Sequence, residues 1–191
     1  MFTDDEKQEI LRVKEKIEDY LRLMGDEPWA LGADLPWDKV YLSGGVTVSI
    51  MHGEKPKDFD FYFEDMSAMY ALTDHLKNSK NIDNIADVDP RYQQMLGQNG
   101  KMITTQAITL KNSWSFITMI SGTPQQIRNS FDYVHCKPYY SIKDRMFYIS
   151  EEQYRACKEK KLIVNNQKMV KTWRTDKFIK RGFKNETRLY S

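Results

Sequence analysis

Apolar residues recur at helical spacing near the start of the chain. Ile10, Val13, Ile17, Leu21 and Met24 share one side of residues 4–24, which predicts an amphipathic helix capped by Thr3. A Gly/Pro/Asp-rich loop follows, then a short strand, "KVYLS", running into Gly44-Gly45. "VTVSIMH" is rich in β-branched residues. The glycine pair before it and Gly53 after it favour a short buried helix. "DFDFYFE" alternates acid and aromatic and then turns apolar, as a strand does whose start has one polar face.

The pattern then predicts a helix over "SAMYALTDHLKNS", capped by Ser67, and a strand or irregular edge over "NIDNIADV". "KMITTQAITLKNSWSFITMIS" reads as a hairpin turning near Lys111-Asn112-Ser113. Thr123-Pro124 opens a short helix, "FDYVHC" reads as a strand, and "YYSIKDRMFYIS" as a second hairpin. Ser150 and Gln153 form a capping box at a helix start. "KLIVNN" is short and extended, and "MVKTWRTDKFIKRGF" is a basic helix ending near Gly182, with Trp173 and Phe178 at core spacing. This order predicts an α/β (α+β) fold. A mixed α/β domain is expected over residues 1–150, with a basic helical extension over 151–191.

Charge sharpens that division. Net charge is only +2, yet residues 155–191 hold 12 Lys/Arg against 3 Asp/Glu. An acidic body with a basic tail suggests contact with phosphate, or a solvated helical face. No apolar run reaches membrane-span length, and the acidic start "MFTDDEKQEI" is unlike a signal peptide. Cys136 and Cys157 form no spaced framework. A cytoplasmic protein with reduced thiols is expected.

The chemistry concentrates in residues 43–65. Asp58 and Asp60, two apart on a strand, point the same way and repel each other. A hard divalent cation, Mg²⁺ with Mn²⁺ as substitute, offsets that repulsion. Ser43-Gly44-Gly45 lies at a strand-to-helix turn, where glycine lets backbone amides approach a polyphosphate. Ser43 or Thr47 could add a hydroxyl donor. The twelve residues from 46 to 57 suffice for one short helix and a return to a neighbouring strand.

"LSGGVTVSIMHGEKPKDFDFYF" resembles the signature of the DNA polymerase β-like nucleotidyltransferase superfamily. The resemblance implies metal-dependent transfer of a nucleotidyl group from a nucleoside triphosphate to a hydroxyl. It implies that Ser43 and Gly44 contact the triphosphate and that Asp58 and Asp60 hold the metal. It also implies a mixed sheet with helices packed on one side, and a third catalytic, metal-binding carboxylate from a later strand near the attacking hydroxyl, for which Asp132 is the candidate and Asp87 and Asp89 the runners-up. "GTPQQIRNSFDYVHCKPYY" and the ending "KLIVNN … FIKRGFK" are similar to small nucleotidyltransferase-like proteins of bacteriophages.

The acceptor is left open between RNA, tRNA included, and protein. Arg174, Lys177, Lys180 and Arg181 are the candidates to line an acceptor-binding face, with RNA a partner through the basic C-terminal region. A nucleotide-binding regulator without turnover and a phage structural component are the alternative classes. His52 and His135 read as structural, and Lys55 and Lys57 as solvated.

Overall fold

The expected capping signals are present. Thr3 and Glu6 cap helix α1 (Asp4–Leu23) reciprocally: the Glu6 amide donates to Thr3 Oγ1 at 3.3 Å and the Thr3 amide to Glu6 Oε2 at 2.8 Å. Capping boxes also open α4 (Pro124–Asn129) at Thr123 and α5 (Glu151–Lys158) at Ser150. The structure, a computed structural model, describes residues 1–23, 34–78, 102–103, 107–109 and 114–185. Met24, the segment 81–88, Asp87, Asp89 and the turn at 111–113 lie outside them.

Among the described residues, seven strands form one mixed sheet. They are β1 (Val40–Ser43), β2 (Phe59–Phe63), β3 (Met102–Ile103), β4 (Ala107–Thr109), β5 (Trp114–Ile117), β6 (Tyr139–Ser141) and β7 (Met146–Tyr148), in the order β3-β4-β5-β2-β1-β6-β7. Only β2 and β5 are parallel neighbours. The expected hairpin at 101–121 is β4–β5, with β3 added on its outer side.

Alternation along the strands sorts the two faces. Phe59, Phe61 and Phe63 are buried, whereas Asp60 and Tyr62 between them are partly exposed. The phenylalanine face packs on Ile17 and Leu21 of α1, Val46 of α2 (Gly45–Met51) and Leu72 of α3 (Met66–Asn78). The helices α1–α3 thus cover one side. The opposite side carries Tyr41 stacked on Tyr62, with Phe131 and the Gly122 carbonyl laid against them.

Three local expectations change. Asp65, not Ser67, caps α3: its Oδ1 accepts the Ala68 amide at 2.8 Å and the Ser67 hydroxyl at 2.7 Å. Its carboxyl is held well below the ordinary range by Lys39, then by the Ala68 amide. "FDYVHC" is not a strand. Tyr133 makes one bridge to Val164, and Val134–Cys136 form a 3-10 turn. The edges of β1 are already taken by β2 and β6, and Asn165 straps this segment down by donating to the carbonyls of Arg128 and Phe131. The basic helix, α6, starts at Thr172 and ends at Lys180. Phe178 enters the interior, but Trp173 is 63% exposed rather than core.

The C-terminal segment docks on the body through a second core. Val48 of α2 meets Tyr133, Cys157, Leu162, Phe178 and Phe183 there, and β8 (Lys161–Leu162) pairs with β9 (Lys184–Asn185) in parallel. His135 is buried among these rings, 4.3 Å from Phe178 and 4.5 Å from Phe183, and burial pushes its pKa down to about 3. His52 donates from Nε2 to the Cys157 carbonyl at 2.8 Å. Both histidines are structural. Both cysteines are free and buried. No described helix is long and apolar enough to cross a membrane.

Candidate functional site

Strand pairing brings the glycine turn onto the acid strand. Ser43, last residue of β1, lies opposite Asp60 in the antiparallel register. Gly44 follows with φ +94°, a conformation side chains rarely adopt, and a Cβ placed on it would lie 3.3 Å from Asp60 Oδ2. Thus the Asp60 carboxylate sits directly against the turn that opens α2. A Cβ on Gly45 would meet nothing within 4 Å.

The hydroxyls near this turn face inward. Ser43 Oγ donates to the Pro138 carbonyl at 2.9 Å, and Thr47 Oγ1 to the Gly44 carbonyl at 3.2 Å; both residues are wholly buried. The Gly44 amide donates to the Cys136 carbonyl at 3.2 Å. The Ser43 hydroxyl and the Gly44 amide fasten the turn to the 134–138 segment, and Thr47 closes the turn on itself.

Asp58 is exposed just before β2, and Asp60 is partly buried. Burial first, and the Asp58 charge second, raise the Asp60 pKa to about 6 against the pull of Arg174 and Lys177. Tyr62, next on the same face, is raised by burial and then by Asp60. A strained pair of oxygen donors on one strand face suits a hard cation, which keeps its remaining positions for water and phosphate oxygens. Among the described residues, no group of three or more His, Cys, Asp or Glu gathers closely enough to hold a metal.

Asp132 is 4% exposed and committed to α6. Arg174 forks onto it, with Nε on Oδ2 and Nη2 at 3.3 Å from Oδ1, while Oδ1 also accepts the Tyr133 amide at 3.0 Å. The Arg174 charge also acts on Asp60. One guanidinium therefore pairs with the buried Asp132 and its charge also reaches the acid strand. Arg181 is likewise engaged, donating to Glu54 at 2.5 Å and to Ser49 Oγ at 3.1 Å. Lys177 and Lys180 point outward and are exposed. Of the four expected acceptor-face cations, two are thus tied to the body and two face solvent. The spacing of 174, 178 and 181, which shares one helix face with the buried Phe178, was the signal for that division.

Solved structures with the same fold are CCA-adding enzymes. The Thermotoga maritima CCA-adding enzyme complexed with tRNA_CCA aligns with a TM-score of 0.57 at 16% identity, over 95% of this chain and 42% of that one. A CCA-adding enzyme complex with ATP aligns at 0.55 and 18% identity, over 96% and 43%; one with CTP aligns at 0.55 and 15%, over 95% and 42%. The chain spans less than half the length of these enzymes, and the likeness establishes a nucleotidyltransferase fold. No curated protein sequence matches. Residues 11–160, covering the sheet, the glycine turn, the acid pair and Asp132, match the family model described as Gad2, Gabija anti-defense 2 family protein, and the chain belongs to that family.

Proposed function

We propose that this chain is a Mg²⁺-dependent nucleotidyltransferase, with Mn²⁺ as substitute, moving a nucleoside monophosphate from a triphosphate to a hydroxyl acceptor. The observation that carries the reading is the Asp60 carboxylate packed against Gly44, with Asp58 coupled to it on the strand's open side. Asp58 and Asp60 would hold the cation, which would supply stabilisation of the charge that develops on the transferred phosphoryl group and the leaving pyrophosphate. The open space at Gly45 leaves room for the triphosphate beside the acid strand, while Gly44 lets the Asp60 carboxylate close onto the turn. The acceptor oxygen forms a bond to the α-phosphorus, the bond to the pyrophosphate oxygen breaks, and the hydroxyl proton is released to water.

Asp132 takes a positioning role here. Its two oxygens orient Arg174, whose charge faces the region that the polyphosphate would enter. Ser43 and Thr47 shape the turn through their buried hydrogen bonds. The family description supports an anti-defense setting, in which the transfer modifies RNA or protein of the Gabija system. One observation favours a second reading: the Arg174–Asp132 pair suits a nucleotide binder without turnover.

The test supplies α-labelled triphosphates and Mg²⁺ with total bacterial RNA and protein. Label should enter an acceptor with the wild type and not with Asp58→Ala or Asp60→Ala, both keeping the wild-type circular dichroism. Triphosphate binding without label on any acceptor would support the second reading and overturn the first.

A further inference from the structure

Helix α6 is two-sided in a way that its position explains. Arg174, Phe178 and Arg181, spaced i, i+4 and i+7, turn toward the body, onto Asp132, the second core and Glu54. Trp173, Lys177 and Lys180 have the same spacing one residue earlier and form a parallel stripe in solvent. Trp173 is 63% exposed and so offers ring surface to a ligand in solution. Lys171 before the stripe and Lys184 beyond it are exposed too.

The stripe flanks the Arg174–Asp132 pair. The Trp173 ring centre lies 5.9 Å from the Arg174 guanidinium carbon, and that guanidinium is forked onto Asp132. Lys177 is among the charges that act on Asp60. Successive cations with one uncovered aromatic ring match a flexible polyanion with unpaired bases. Phosphates meet the ammonium groups, and one base stacks on the indole. A duplex keeps its bases stacked on each other and offers the indole none.

We infer that Trp173, Lys177 and Lys180 form a track for single-stranded RNA, which leads an acceptor hydroxyl toward Asp58 and Asp60. The RNA class rests on the transferase reading only for its role as acceptor; the track itself is a binding surface.

The experiment uses the full chain without metal or triphosphate and a fluorescein-labelled 12-nucleotide single-stranded RNA. Anisotropy should report binding that weakens with salt. Trp173→Ala should weaken it about five- to a hundredfold, the effect of losing one base stack. Trp173→Phe should retain most of the binding but remove the RNA-induced quench of tryptophan fluorescence. The double variant Lys177→Glu/Lys180→Glu should weaken binding and flatten the salt dependence. Binding is read without metal or triphosphate, where no transfer occurs, so the track stands or falls apart from the transfer chemistry. Wild-type binding by Trp173→Ala, no RNA binding by the wild type, a quench given by free triphosphate but not by RNA, or a clear preference for duplex RNA would each overturn the inference.

Discussion

Replacing Asp60 by Asn removes a carboxylate that the fold holds at a cost. Its pKa rises from 3.8 to about 6, through burial first and the Asp58 charge second. The folded state therefore takes up a proton below about pH 6 that the unfolded chain takes up only near 3.8. Stability from this group is fully present below the unfolded value and is lost as pH rises through the folded one. A shift of about 2 units at 1.36 kcal/mol each makes the ionised carboxylate cost at most about 3 kcal/mol at pH 7.5. Asp60→Asn should recover much of that. For a chain of this size the gain corresponds to a rise of about 6–12 °C in Tm. The assay is differential scanning calorimetry of both proteins in chelator at pH 7.5 and at pH 4. The gap should be wide at pH 7.5 and nearly closed at pH 4. Added Mg²⁺ should raise the Tm of the wild type at pH 7.5 and leave Asp60→Asn in place, because only the wild type offers the paired carboxylates. An Asp60→Asn protein no more stable than the wild type at pH 7.5, or a gap independent of pH, would refute the reasoning.

The two glycines of the turn should respond differently. Gly44→Ala meets both a left-handed φ and the Asp60 oxygen 3.3 Å from its new methyl, so it should lose about 1–2 kcal/mol in urea unfolding. Gly45→Ala, at the first position of a helix with open space around it, should be neutral or slightly stabilising in the same assay. Asp132→Ala leaves the Arg174 guanidinium without its fork partner beneath α6. It should cost about 3–5 kcal/mol by equilibrium denaturation, and Asp132→Ala/Arg174→Met should recover part of the loss.

The local chemistry of this chain is readable from its order of residues. Thr3, Thr123 and Ser150 cap helices because each hydroxyl reaches an amide three residues on, a contact complete within one turn. The period-2 pattern of "DFDFYF" likewise set Asp60 opposite to the phenylalanines, and the Gly-Gly turn followed by a short helix was legible from spacing. Partners distant in sequence were not. The proximity of Gly44 and Asp60 depends on β1 pairing with β2 in one register. Asp132 read as a strand residue, yet both edges of β1 were taken and Asn165, 33 positions later, holds its segment in a turn. Trp173 and Phe178 both suited a core by spacing. Which of them faces inward was decided only when Arg174 found Asp132 and Arg181 found Glu54, fixing the rotation of α6. Sequence alone thus determined the elements and their polar faces, since those follow from neighbours within a turn or a strand. The choice of partners across the fold, and with it the surface that α6 leaves to solvent, came from competition for hydrogen bonds and buried charge that exists only in the folded chain.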